Sequence, residues 1–419
     1  MTSNSYLEKQ AFCGQQIKEA VPDNLHLSVV IPCYKEPELI QTLESLSQCY
    51  PTKNKTEVIV VINYSEKETE EIKQYNQETE KEARVWIRSN NSSHIDFHII
   101  CAYDLPYKTA GVGLARKIGM DEAVRRFDKT RKNDGIIICL DADCLIEENY
   151  LTEVENHFLL NPLSPSCHLA FKHRTDDPKL SIENRTAICI YELYLRWYTL
   201  NLQHAGHPYA FQTIGSCMAV RSSAYQKQGG MNKRKAGEDF YFLQKIFPLG
   251  NFTELNSTCV YPSARGSDRV PFGTGAFINQ HEGDDMLNYK SFNPLLFDEL
   301  KLFIENLELS YGNKTFSNIK LYPTLSAFFA SIQFESKFKE AIQHSSNYTN
   351  FSKRFFSNFN GLLVLQYLHF GQKDGIKDQS LIKSSQQLLE QIDIEPVKKE
   401  KNLLNLLKTY RNIQRLYIV

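Results

Sequence analysis

Four short strand-like segments, Leu27–Pro32, Val58–Ile62, Ile95–Ile99 and Gly135–Leu140, recur between stretches with helical spacing. Continuous apolar runs such as Leu-Ser-Val-Val-Ile-Pro are what a parallel strand buried on both faces requires. Between the strands, Leu39, Ile40, Leu43 and Leu46 repeat at helical spacing behind Pro37, a residue tolerated in a first helical turn. Glu66 to Arg84 forms a charged helix with a thin inner face of Ile72, Tyr75, Thr79, Ala83 and Trp86. Leu114, Ile118, Val124 and Phe127 mark another helix. Strand and helix in alternation predict an α/β fold with a mostly parallel central sheet flanked by helices. Ligands of such sheets sit beyond the carboxyl ends of the strands. Polar clusters lie at three of those ends: Tyr34 with Glu36, Asn63 with Ser65, and Asp141 with Asp143.

The last cluster carries the most chemistry. Gly135 to Cys144 runs as a buried strand straight into two aspartates separated by one alanine. Two unit charges about 4 Å apart at an effective dielectric of about 20 repel by roughly 4 kcal/mol. A divalent cation reverses the sign of that term, and hard carboxylate oxygens suit Mg²⁺ or Mn²⁺. A solvated acidic turn is the bland alternative for an isolated Asp-x-Asp.

Bulk properties narrow the field. The net charge of −1 gives no global field that recruits nucleic acid. No apolar run approaches bilayer length, and Met1 to Ala20 has no apolar signal core. The ten cysteines contain no Cys-x-x-Cys pair, and Cys33, Cys101, Cys139 and Cys189 sit in apolar segments, as thiols of a reducing compartment do. The expectation is a cytoplasmic protein. From about Asp285 the texture turns to Phe, Leu, Lys, Ser and Asn at helical spacing, a helical appendage. Its last piece joins Leu403, Leu404, Leu407, Tyr410 and Leu416 to Lys398, Lys399, Lys401, Lys408, Arg411 and Arg415. Such a basic amphipathic helix either docks on the catalytic domain or makes peripheral contact with an anionic membrane at its inner face.

Val30-Ile-Pro-Cys-Tyr-Lys-Glu36 resembles the opening motif of glycosyltransferase family 2, whose catalytic domain has the GT-A fold. The resemblance implies that Pro32, Tyr34 and Glu36 border the base and ribose of a nucleotide. It places Asn63 where the family reads the base, although Asp is usual there. Gly111-Val-Gly-Leu-Ala-Arg-Lys-Ile-Gly119 departs from a dinucleotide fingerprint, since Arg116 stands where the third glycine belongs. It is similar to the family's Gly-x-x-x-Ala-Arg-Asn-x-Gly with Lys117 replacing Asn. Arg116 is then expected on a diphosphate, with Gly111 and Gly113 admitting close approach. Asp141 and Asp143 match the metal motif: one holds ribose or a metal-bound water, and Asp143 binds Mn²⁺ or Mg²⁺.

Farther along, Ile214-Gly-Ser-Cys-Met-Ala-Val-Arg221, Gly229-Gly-Met231 and Gly237-Glu-Asp-Phe240 resemble the family's acceptor half. By that resemblance Asp239 is the catalytic base and Glu238 supports it or contacts the acceptor. Pro262 to Gly275 is dense in Arg, Gly and Ser and reads as a flexible loop over a diphosphate, with Arg265 or Arg269 giving bidentate contacts. The resemblance spans about Leu27 to Asp285 and divides the chain into a polar leader (1–24), a GT-A domain (25–285) and a helical region (286–419). It implies a metal-dependent, inverting transfer of a sugar from a nucleoside-diphosphate donor, a UDP-sugar foremost, to a hydroxyl acceptor: a glycan, a lipid-linked molecule or a small molecule. No Gln-x-x-Arg-Trp motif suggests a polysaccharide synthase. A nucleotidyltransferase and a non-catalytic sugar-nucleotide-binding protein are the alternatives.

Overall fold

The computed structural model describes residues 4–90, 94–131, 134–178, 180–269, 273–281, 285–315, 323–394 and 402–416. Along the chain come α1 (Ser5–Lys9), β1 (Leu25–Cys33), α2 (Leu39–Ser47), β2 (Lys55–Ser65), α3 (Glu70–Ser89), β3 (Ile95–Leu105), α4 (Val112–Lys129) and β4 (Ile136–Cys139). Then follow β5 (Leu145–Ile146), α5 (Tyr150–Leu160), β6 (Ser166–Phe171), α6 (Ile182–His204), β7 (Met218–Arg221), α7 (Ser222–Lys227), α8 (Glu238–Ile246) and β8 (Thr253–Tyr261). Contacts divide the chain into two compact units, one of residues 1–174 with 213–276, the other of 175–212 with 277–419. This differs from the boundary expected at 285/286: the segment 175–212, read as part of the catalytic domain, belongs with the helical region.

The first unit holds an eight-stranded sheet in the order β3-β2-β1-β4-β7-β6-β8-β5. Strands β3, β2, β1 and β4 are mutually parallel, as the strand–helix alternation predicts. Strand β7 runs antiparallel to both β4 and β6, and short β5 antiparallel to β8. Val29 to Ile31, Val58 to Ile62 and Ile136 to Cys139 have no exposed surface, so these strands are covered on both faces. Helix α4 presses directly on this layer because Gly119 carries no side chain: a Cβ there would stand 2.5 Å from Val30 Cγ1. Pro32 was expected to end β1, yet the strand reaches Cys33. On α3 the buried positions are Asn76, Thr79 and Ala83; Asn76 is buried because its Oδ1 accepts the Lys35 N–H at 3.0 Å.

The polar leader is packed rather than loose. Tyr6 and Ile17 are buried, and Asp121 and Glu122 on α4 accept the N–H groups of Phe12 (2.8 Å), Gln16 (3.0 Å) and Ile17 (3.1 Å). Arg125 and Arg126 return hydrogen bonds to the carbonyls of Cys13 (2.7 Å) and Glu19 (3.0 Å).

Among its described residues the second unit is helical apart from a two-stranded pairing of Lys290–Ser291 with Gln379–Ser380. Its core is aromatic: Phe303, Phe329, Phe334, Phe355 and Phe359 pack at ring-centroid distances from 4.7 to 6.1 Å. The last helix, Leu403–Leu416, docks on α6 within this unit. Leu406, Leu407, Tyr410 and Ile413 are buried, and Arg411 grips the buried Glu192 through two bonds of 2.7 Å. Leu404 on the same helix stays 40% exposed. Lys398, Lys399 and Lys401 lie outside the described residues. No described helix is long and apolar enough to cross a membrane.

Arg126 Nε donates to Glu57 at 2.7 Å, and both side chains are fully buried. Leaving one buried partner unpaired costs about 3–5 kcal/mol, whereas replacing both with apolar groups is often neutral. Urea unfolding is expected to show a loss of that size for Arg126→Met and a much smaller one for Arg126→Met combined with Glu57→Leu.

Candidate active site

The carboxyl ends of β1 and β4 build the site. Beyond β1 the chain turns at Lys35, whose φ of +49° is left-handed, and this delivers Glu36 inward. Glu36 Oε1 accepts the Glu38 N–H at 2.8 Å. Beyond β4, the Leu140 N–H still pairs with the Val30 carbonyl (3.1 Å). The Asp-Ala-Asp turn is then held by Thr42 Oγ1, which donates to the Ala142 carbonyl at 2.9 Å. Asp141 and Asp143 are left half-buried at the rim.

Two arginine clusters organise the carboxylates. Arg116 on α4 is 1% exposed; one terminal nitrogen donates to Asp141 Oδ1 at 2.5 Å and the other to Glu238 Oε1. In the second cluster Arg265 places one nitrogen 2.9 Å from both Glu36 oxygens. Arg269 bonds Glu36 as well and reaches Asp143 Oδ2 at 3.2 Å. Glu36, expected beside a base or ribose, is instead the buried counter-charge of two arginines. Arg116, expected on a diphosphate, faces inward and joins Asp141 to Glu238. Asn63 is buried and donates to the Cys33 carbonyl at 2.9 Å, while Pro32 is buried within β1. Tyr34 remains half-buried at the rim.

Helix α8 supplies the second acidic pair. Gly237, at φ +68°, caps its start, and Asn232 Nδ2 holds the Glu238 carbonyl at 2.8 Å. Glu238 turns inward to Arg116 and is buried, and Asp239 follows half-buried. The glycines expected to admit a diphosphate admit this segment of the chain itself. A Cβ at Gly113 would stand 2.3 Å from the Arg234 carbonyl and 2.9 Å from Glu238 Cβ. Gly215 is pressed against Arg116, with 2.6 Å between a built Cβ and the guanidinium.

Sequence reasoning missed the support beneath the Gly-Gly turn. Tyr6 from the leader donates to Asp121 at 2.6 Å, Tyr225 donates to the same oxygen at 2.8 Å, and Lys117 Nζ lies 3.0 Å from Tyr6 Oη. A Cβ at Gly230 would stand 2.0 Å from the Tyr6 hydroxyl. Lys117 in the place of the family's Asn was the one signal of this network.

Electrostatics follow from crowding. Burial, with Glu36 and Asp141 adding repulsion, pushes the Asp143 carboxyl up to about 7 against the pull of Arg269. Burial likewise raises Asp239, opposed by Arg116 and helped by Asp141, and lifts Glu238 to about 7 despite Arg116. The Asp141–Asp143 donor set is all hard oxygen. No group of three or more His, Cys, Asp or Glu side chains that could hold a metal occurs among the described residues. Asp141 Oδ2 and Asp143 Oδ1 are the oxygens without an arginine. Two protein carboxylates completed by substrate phosphates and water is a common Mg²⁺ arrangement, so the residues fit a divalent cation that arrives with its ligand.

The contact of Gly215 with Arg116 is testable. Gly215→Ala is expected to cost about 1–3 kcal/mol in urea unfolding, and most of that cost is expected to vanish in an Arg116→Met background. A double-mutant cycle reads the coupling directly.

A comparison with curated protein sequences finds no match. Among solved structures, the chain is similar to TarS 1-349 of S. aureus in complex with UDP-GlcNAc, at 13% identity over 80% of this chain and 91% of that one, with a TM-score of 0.40. It is also similar to the mannosyltransferase PcManGT from Pyrobaculum calidifontis in complex with GDP-Man and Mn²⁺, at 13% identity over 98% and 92% of the two chains, with a TM-score of 0.34. Likenesses this remote carry no argument about donor, metal or acceptor. The family comparison is specific: residues 28–229, from β1 through the first glycine of the Gly-Gly turn, match Glycosyl transferase family 2, which marks this stretch as a glycosyltransferase domain of that type.

Proposed function

We propose that this enzyme transfers a sugar from a nucleoside-diphosphate donor, a UDP-sugar foremost, to an acceptor hydroxyl with inversion at the anomeric carbon. The observation that supports this reading is the bridge from Asp141 through Arg116 to Glu238, with Asp239 next in sequence to Glu238 and Asp143 next but one to Asp141. Asp239 accepts the proton of the acceptor O–H as that oxygen forms its bond to the anomeric carbon. The bond from that carbon to the diphosphate oxygen breaks, and its electron pair leaves on the diphosphate. Burial raises the proton affinity of Asp239 and makes it a stronger base than a solvated aspartate. Arg116 positions the reacting groups by tying Asp141 to Glu238, the residue preceding the base. Asp141 and Asp143 would hold Mn²⁺ or Mg²⁺, which when bound supplies Lewis-acid stabilisation to the leaving diphosphate. Arg269 reaches Asp143 and shares Glu36 with Arg265, and the two furnish guanidinium donors at the donor side.

The test is turnover of a panel of nucleotide sugars with and without Mn²⁺. Asp239→Asn is expected to lower kcat by about 10²–10⁴ while leaving nucleoside-diphosphate binding, read as a rise in melting temperature, in place. Asp143→Asn is expected to remove the Mn²⁺ dependence. Full turnover in Asp239→Asn would overturn the base assignment.

The pH profile carries its own sign. Asp239 acts deprotonated and its folded proton affinity is raised, so activity is expected to fall as pH drops through that raised value. The acid limb of kcat/KM is therefore expected above the ordinary Asp range near about 4. A limb at or below that range would contradict a buried base.

A further inference from the structure

The loop between the Gly-Gly turn and α8 carries three consecutive cations, Lys233, Arg234 and Lys235, all exposed. None has an ion-pair partner among the described residues; each lies over an aromatic ring instead. Lys233 Nζ is 5.4 Å from the Phe12 centroid, Arg234 Cζ 3.7 Å from that of Tyr241, and Lys235 Nζ 4.3 Å from that of Tyr107. Lys67 Nζ shares the Tyr107 ring at 4.8 Å, and exposed Lys108 is next to it in sequence. Glu66, whose Oε1 accepts the Tyr107 N–H at 3.1 Å, is the carboxylate beside that ring.

This cationic rim is fixed to the base. Asn232 accepts the Arg234 N–H at 3.1 Å and donates to the Glu238 carbonyl at 2.8 Å. The Arg234 carbonyl lies in the space left open by Gly113. Lys235 precedes Asp239 by four residues, which limits their Cα separation to about 15 Å. A net charge of −1 makes the concentration of cations local rather than global. Clustered like charges repel, and an anion seated among them turns that repulsion into attraction. Cation–π contacts keep the long side chains in place, which lowers the ordering cost of binding.

We propose that this rim is the acceptor subsite and that the acceptor is a soluble phosphorylated sugar or polyol, its phosphate held by Lys233, Arg234 and Lys235 while a hydroxyl meets Asp239. The inference rests on the sugar-transfer reading above and names its acceptor class. The loop is a binding element, and no covalent step is assigned to it.

The test measures binding of a labelled oligo(glycerol phosphate) and of an uncharged oligosaccharide of equal length to the full chain, at low and high salt. The anionic probe is expected to bind and to weaken steeply with salt, and the neutral probe to bind far less. Lys233→Gln, Arg234→Gln and Lys235→Gln combined are expected to weaken the anionic probe about tenfold or more and to flatten its salt dependence, with only a small fall in melting temperature from the lost cation–π contacts. Equal binding of the two probes, or an unaffected triple variant, would overturn the proposal. So would binding to phosphatidylglycerol vesicles with no binding of the soluble probe, which would assign the patch to a lipid surface. The nucleoside-diphosphate melting shift reports on the donor side separately, so failure here and failure of the transfer reading are told apart.

Discussion

A guanidinium taken out of water needs counter-charges at hydrogen-bonding distance, and Arg116 finds them 25 residues onward in Asp141 and 122 residues onward in Glu238. Breaking a buried pair of this kind costs more than most side chains contribute to stability. The arginine therefore dictates that the end of β4 and the start of α8 meet over the first turns of α4. Asp141 and Glu238 inherit their positions from that demand. Burial acts to lower the proton affinity of Arg116, and the two carboxylates more than offset it, so the bridge stays charged. Glu36 repeats the logic with the signs exchanged, a buried carboxylate that collects Arg265 and Arg269.

Missing side chains matter as much as present ones. Gly119 lets α4 lie on β1 and β2, Gly113 lets the loop before α8 lie on α4, and Gly215 lets its own segment lie on the guanidinium. These three close approaches stack sheet, helix and loop at distances that any Cβ would forbid. A protein interior packs as densely as an organic crystal, so each approach fixes the next. The rim thus owes its geometry to a column of packed backbone rather than to any one polar contact.

Much of this was legible in the chain. Period-two and continuous apolar patterns located β1 to β4, because a strand covered on both faces leaves no other choice of residue. The order of Asp141, Asp143 and Asp239 along the chain marked the candidate chemistry. The roles of Arg116 and Glu36 were not legible, since an arginine bound to a diphosphate and one bound to a buried glutamate look the same in sequence. Burial decides between them, and burial comes from contacts over a hundred residues apart. The leader escaped for a related reason. Tyr6 and Ile17 are isolated apolar residues, and the surface that covers them belongs to α4. The helix α6 carries an ordinary helical pattern that says nothing about which partner it joins.

Because α6 belongs with residues 277–419, the second unit is assembled from two stretches of chain with a piece of the first unit between them. Glu192 leaves the ribosome 219 residues ahead of Arg411, its bidentate counter-ion. During that interval Glu192 has only Arg196 of its own helix as a counter-ion, and α6 lacks the helix Leu403–Leu416 that packs on it. The growing polypeptide therefore carries an incompletely covered α6 until the helix Leu403–Leu416 emerges, an interval in which its apolar surface is exposed to wrong partners.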